Sequence, residues 1–212
     1  MSTTTTTVAR PARLSPALLA PAIAFAVLTV AYVATNARTP HPDASGADVL
    51  TYTTAHTGLI NAGSALLLLS AAPLAILAGV IQRQLAGPAI TAIGGALAAG
   101  ALTLSALFGW AGARLPASAA PELARALADL GFLSGGPAYA AGFGLLVLGI
   151  VIPALLQRKL PSWLVWLGIA ITVVAAVSAL GLVASALTVL MPVVRFGGLL
   201  WLTTTVVFLS RR

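Results

Sequence analysis

Cysteine is absent from the 212-residue chain. That removes disulfides, thiol catalysis, iron–sulfur clusters and thiolate metal sites in one step, and it leaves the redox compartment open. Charge is scarce as well. Only 7% of residues are charged, against about 25% in an average soluble domain, too few to cover a water-soluble domain of this size. A disordered chain is excluded from the other direction, because 59% of residues are hydrophobic and disordered segments are poor in apolar residues. The four acids are Asp43, Asp48, Glu122 and Asp129, and none lies in the middle of an apolar run. Proton-coupled pumps and transporters usually place ionisable groups there. The absence counts against coupling through an intramembrane carboxylate, and it leaves passage of a neutral or apolar molecule open.

Histidine is nearly absent too. His41 and His56 are the only two. A transmembrane b-type haem needs two facing axial ligands on spans, and only His56 reaches even a span end. His41, Asp43 and His56 have suitable ligand types for a metal, but their spacing matches no compact site. No cofactor and no metal are expected. Nothing marks a serine nucleophile with its base, and the glycines follow no phosphate-binding pattern. The chain is read as leaning away from enzymes.

What the chain does have is long apolar runs, and these make it a polytopic membrane protein in contact with the lipid bilayer. Six are marked: 16–35, 57–81, 88–110, 137–156, 162–184 and 193–209. A backbone in lipid must satisfy its own hydrogen bonds, so the runs are helices. A β-barrel would alternate apolar and polar residues, whereas Ala65 to Val80 is unbroken. The expected fold is all-α, a bundle of six transmembrane helices. The sixth run is short and would have to stand nearly upright or thin the bilayer around it.

The formal charge of +7 reads as topology rather than nucleic-acid binding. The basic residues are scattered at span ends and form no run interleaved with aromatics. Arg10, Arg13, Arg83, Arg158, Lys159, Arg211 and Arg212 fall on one side with no acid, while Arg38, Arg114, Arg125 and all four acids fall on the other. The positive-inside rule then puts both termini in the cytoplasm of a cell inner membrane. Residues 1–15, with their run of threonines, read as a disordered cytoplasmic tail, followed by the membrane domain, 16–212. A signal peptide competes for the N-terminal run, but that run is longer than an ordinary apolar signal region and no good small-x-small cleavage site follows.

The short cytoplasmic connections, 82–87 and 157–161, leave no room for a catalytic domain. Residues 36–56 carry Pro40, Pro42 and Gly46 and read as irregular structure. Pro121 to Leu133 reads as a short amphipathic helix on the outer surface, with Glu122, Arg125 and Asp129 opposite Leu123, Leu127 and Leu130. Gly135, Gly136 and Pro137 are expected to end it and start span four. Span three is rich in glycine and alanine, including Gly95 and Gly100, and is expected to be central and tightly packed. In span two, Thr57, Asn61, Ser64, Ala71, Ala72 and Ala75 form a stripe expected to face the bundle, and Pro73 a kink. Trp110, Trp163, Trp166 and Trp201 read as an interfacial belt.

One candidate site emerges. Arg195 is the only basic residue near a span interior, and the topology places Asp129, His56 and Asn61 at its level. An ion pair of Arg195 with Asp129, with His56 and Asn61 nearby, could bind an anionic headgroup or small ligand in the outer half. The plainer alternative is an arginine that reaches to the headgroups or makes a structural ion pair.

The C-terminal half resembles something known. Gly135-Gly136-Pro137, Leu160-Pro161-Ser162-Trp163-Leu164 with Trp166 and Gly168, and Pro192 with Arg195-Phe196-Gly197-Gly198 and Trp201-Leu202 are similar to a family of six-span bacterial membrane proteins. It is a domain-of-unknown-function family met often in actinobacteria. The resemblance covers spans two to six, rests on loose motifs, and implies the fold without an activity, substrate or cofactor. The leading expectation is a non-enzymatic accessory or interaction subunit, with a membrane-protein partner or a second copy as its companion and no nucleic acid. The alternative is a small transporter or a lipid- or ligand-binding protein with an outer-half cavity. A bundle packed solid favours the first, and a pocket lined by Asn61 and Arg195 favours the second.

Overall fold

A computed structural model describes residues 15–211, with every side chain but that of Ser185. The expected N-terminal tail lies outside the described residues, Ser15 excepted. Eight α-helices follow in order: α1 (Pro16–Thr35), α2 (Gly46–Ala55), α3 (Thr57–Leu85), α4 (Ile90–Gly112), α5 (Pro121–Leu133), α6 (Tyr139–Leu156), α7 (Ser162–Ala179) and α8 (Gly198–Ser210). No strand occurs among the described residues. Among the described residues, six helical stretches are long and apolar enough to cross a membrane. The all-α six-span bundle is therefore the fold.

The bundle has two unlike ends. At one end the connections are short and tied together. Gln157 Nε2 donates to Leu85 O at 2.9 Å and Lys159 Nζ to Gln84 O at 3.2 Å. Helix α3 runs four residues past the expected span end and stops at Ala86, whose φ of 45° is the left-handed cap conformation. The other end holds α2, α5 and the irregular segment between α7 and α8.

At that second end the sequence reading needs three corrections. Residues 46–55 are helical, not irregular. Ser45 caps α2, its Oγ accepting from Asp48 N at 3.2 Å and donating to the Asp48 carboxylate at 2.7 Å. Gly135, Gly136 and Pro137 do not break the chain between α5 and span four. They lie in a π turn, Ser134–Ala138, that runs directly into α6, giving one apolar helical stretch over Pro121–Leu156. Span five loses its α-geometry at Ala179 and continues as two 3₁₀ turns, Leu180–Leu182 and Ser185–Leu190. The apolar stretch of span five ends at Leu182, two residues before the expected end, and that of span six begins at Ala186, seven residues before the expected start, so span six covers Ala186–Ser210 and is no longer short.

Packing follows the small residues. Helices α4 and α6 meet almost backbone to backbone. A β-carbon on Gly142 would sit 2.5 Å from Ala98 N, one on Gly149 2.6 Å from Thr91 N, and one on Gly94 would collide with the Leu145–Leu146 backbone. In lipid, where apolar surface gains little by leaving its surroundings, such close approach is what holds helices together. The fourth span is the most enclosed and the third comes next. The buried face of α3 also shifts from the expected stripe. Ser64, Leu67, Ala71, Leu74, Ala78 and Ile81 face inward, while Ala72 and Ala75 are exposed. This is the i, i+3, i+4, i+7 line of a single helical face. Trp201 leaves the interfacial belt as well. It is 1% exposed, its Nε1 donates to Leu164 O at 2.7 Å, and its ring fills the place a side chain at position 168 would take.

Candidate functional site

Between the spans, at the end that holds α2 and α5, lies a cavity of about 710 Å³. All three tyrosines of the chain, Tyr32, Tyr52 and Tyr139, stand on its wall. Each comes from a different helix. Tyr32 is in the last turn of α1, Tyr52 is in α2 and Tyr139 opens α6. Tyr139 is 3% exposed, so it is a core residue and not a headgroup anchor.

Two π turns frame this cavity. Ser134–Ala138 precedes α6 and Val193–Gly197 precedes α8. A proline accompanies each, Pro137 within the first and Pro192 as cap of the second. A proline has no amide hydrogen and cannot complete the α-helical ladder, and a widened turn carries the helix past it. Such turns are rare and recur at functional sites.

The second π turn carries Arg195. Its Nη2 donates to Gly135 O of the first π turn at 2.9 Å. Its guanidinium carbon lies 5.4 Å from the Tyr32 ring centre and 5.3 Å from that of Tyr139, within the reach of a cation–π contact. Gly135 is needed on its other side, against α4, since a β-carbon there would fall 2.6 Å from Ser105 Oγ but in ordinary contact, 3.8 Å, with Arg195 Nη2. Ser105 is held in turn by donating to Gly131 O at 2.8 Å.

Asp129 also lines the cavity, but its partner is not Arg195. Arg125, one turn earlier on α5, donates through Nε and Nη2 to the two Asp129 oxygens at 3.1 and 2.6 Å. The same guanidinium donates to Ala44 O at 2.7 Å and to Pro42 O. The polar face of α5 therefore turns toward the loop before α2, while Leu123 and Leu130 are exposed. A pair at i, i+4 on one helix forms at little entropic cost, and it takes the carboxylate that topology alone offers to Arg195.

Of the four expected site residues, the cavity brings together Arg195 and Asp129 and leaves out His56 and Asn61. His56 sits at the α2–α3 junction, exposed, its ring stacked on Tyr52 at 4.3 Å and its Nδ1 2.9 Å from Tyr52 O. The Asn61 side-chain oxygen is buried without a hydrogen-bond partner among the described residues. Sequence reasoning misses the tyrosines and Arg125. A signal for the tyrosines exists: in a chain with three of them, each falls near the same end of the bundle once the spans are drawn.

Fold and cavity together define the class, an integral membrane protein with six apolar spans and a wall of aromatic and basic side chains at one end. No family model, no curated protein and no solved structure matches the chain.

Proposed function

We propose that this is a ligand-binding membrane protein whose cavity takes a small amphiphilic molecule, a lipid or a compound of similar build. The observation that carries the reading is the cavity. Protein interiors pack like organic crystals, and elsewhere this bundle brings α4 and α6 within backbone contact. A space of about 710 Å³ in such a bundle lies within the roughly 300–1,000 Å³ span of small-molecule sites. An accessory subunit with no ligand would be served by a bundle packed solid along its length. The same reading places the protein in a bacterial plasma membrane with both termini in the cytoplasm and the cavity in the outer half, and the charge asymmetry of the loops is what supports that orientation.

The test is extraction of the whole protein with its native lipid annulus, followed by mild native mass spectrometry. Gly112 borders the cavity, and a β-carbon there would meet nothing within 4 Å, so Gly112→Trp is the variant chosen to occupy the cavity, with its thermal transition as the check that the helices are not forced apart. The wild type should retain a defined bound mass that Gly112→Trp loses while keeping its thermal transition. A wild type that carries no bound species, and is not stabilised by total lipid extract, would return the protein to the accessory-subunit reading.

A further inference from the structure

We infer that the cavity selects an anionic amphiphile, with Arg195 as the residue that receives its oxyanion head. The inference rests on the ligand-binding reading and adds the ligand's charge and the residue that reads it. A guanidinium has five N–H donors. Arg195 spends one on Gly135 O, and no carboxylate among the described residues lies within ion-pair distance of it. Asp129 is engaged by Arg125, and Asp43 stands beside His41. A half-buried cation has lost part of its hydration, and an anion at its unspent donors would restore that interaction. The rings of Tyr32 and Tyr139 hold the guanidinium in place but accept no conventional hydrogen bond from its N–H groups, so the donors remain for a ligand.

A second, independent feature points the same way. Tyr52 belongs to the same wall, and its hydroxyl is buried without a hydrogen-bond partner among the described residues. A buried hydroxyl without a partner is uncommon, and a bound oxyanion that displaced the atoms covering it would accept from it. The charge of the wall agrees. Arg125 and Asp129 cancel, and Arg195 leaves one net positive charge, which matches one anionic group. The remaining wall includes Val33, Phe108, Phe132, Met191 and Phe196, suited to an alkyl chain or ring. A carboxylate and a phosphate ester share this chemistry. The head could belong to a free single-chain amphiphile or to a bilayer phospholipid.

The experiment uses the full chain in phosphatidylcholine nanodiscs, with empty nanodiscs as the blank, and compares dodecanoate, dodecyl phosphate and dodecanol. The two anions should bind at least tenfold more tightly than the alcohol. Arg195→Gln should abolish that preference and leave dodecanol binding unchanged. Because Arg195→Gln also removes a structural contact, Tyr52→Phe provides a second variant, losing only a hydroxyl that holds nothing in the protein. It should weaken dodecanoate several-fold with no change for dodecanol and no change in thermal transition. Equal binding of anions and alcohol by the wild type would overturn the inference and leave the ligand-binding reading standing. No binding of any of the three, in nanodiscs with or without phosphatidylglycerol, would remove both. Competition between phosphatidylglycerol and dodecanoate would support the inference with a bilayer lipid as the source, and tight dodecanoate binding without that competition would support it with a free amphiphile.

Discussion

Arg125 and Arg195 share the cavity wall but have different amounts left to bond. Arg125 is committed on every side, to Asp129, Ala44 and Pro42, and it fastens the loop before α2 onto α5. Hydrogen bonds to charged groups contribute about 1.5–3 kcal/mol, so Arg125→Ala should lower the thermal transition clearly. Asp129→Ala should do much less. Its carboxylate is 44% exposed, half-exposed pairs contribute about 0–1 kcal/mol, and Arg125 keeps its two carbonyls. Arg195→Ala and Asp129→Ala share no partner, so a double-mutant cycle should be additive. A coupling well above about 0.5 kcal/mol between positions 195 and 129 would restore the pair that topology alone suggests. Span drawing puts both residues at one level. What it does not rank is two arginines competing for one carboxylate, and the nearer one on the same helix wins.

At the scale of elements, the six spans are legible in the sequence because lipid imposes a length and an unbroken apolar run, and both are read directly from residue types. The helix ends are less so. Span boundaries move where prolines and glycines fall, because Pro137 and Pro192 are accommodated in π turns rather than ending helices. Helix α2 has a signal in Ser45 and Asp48, a capping pair that two nearby prolines obscure. Packing partners are only half legible, since a glycine says that something comes close without saying which one is used. Gly95 and Gly100 look alike in sequence. In the structure a β-carbon on Gly95 would strike Ala78, whereas one on Gly100 would meet nothing within 4 Å. Overpacking costs about 1–3 kcal/mol. Gly94→Leu and Gly142→Leu, on facing sides of the α4–α6 seam, should each lower the thermal transition and the solubilised yield. Gly100→Leu should leave both near wild type. Equal loss in all three would mean that the face of α4 holding Gly100 is also packed, for example against a second copy.

At the scale of the whole molecule, the bundle fixes which ends lie together but not which end faces the cytoplasm, because helix packing is indifferent to sidedness. That information sits in the loop charges, and residue types alone carry it. The short-loop end carries Arg83, Arg158 and Lys159, and the end with α2 and α5 carries all four acids. The absence of cysteine makes a test direct, since any introduced thiol is the only one. Ala47, Ser118 and Gln84 are exposed. Ala47→Cys avoids the capping role of Ser45, Ser118→Cys lies in the α4–α5 connection, and Gln84→Cys lies at the opposite end. With the proposed sidedness, an impermeant maleimide should label positions 47 and 118 in intact cells and label position 84 only after the membrane is opened. Reversed labelling would invert the protein and move the cavity to the cytoplasmic half. Its anion would then have to come from the cytoplasm or the inner leaflet, while the chemistry of Arg195 between its two tyrosines would be unchanged. Labelling of all three from outside would mean that the short-loop end is not sealed by the bilayer, and the six-span topology itself would have to be redrawn.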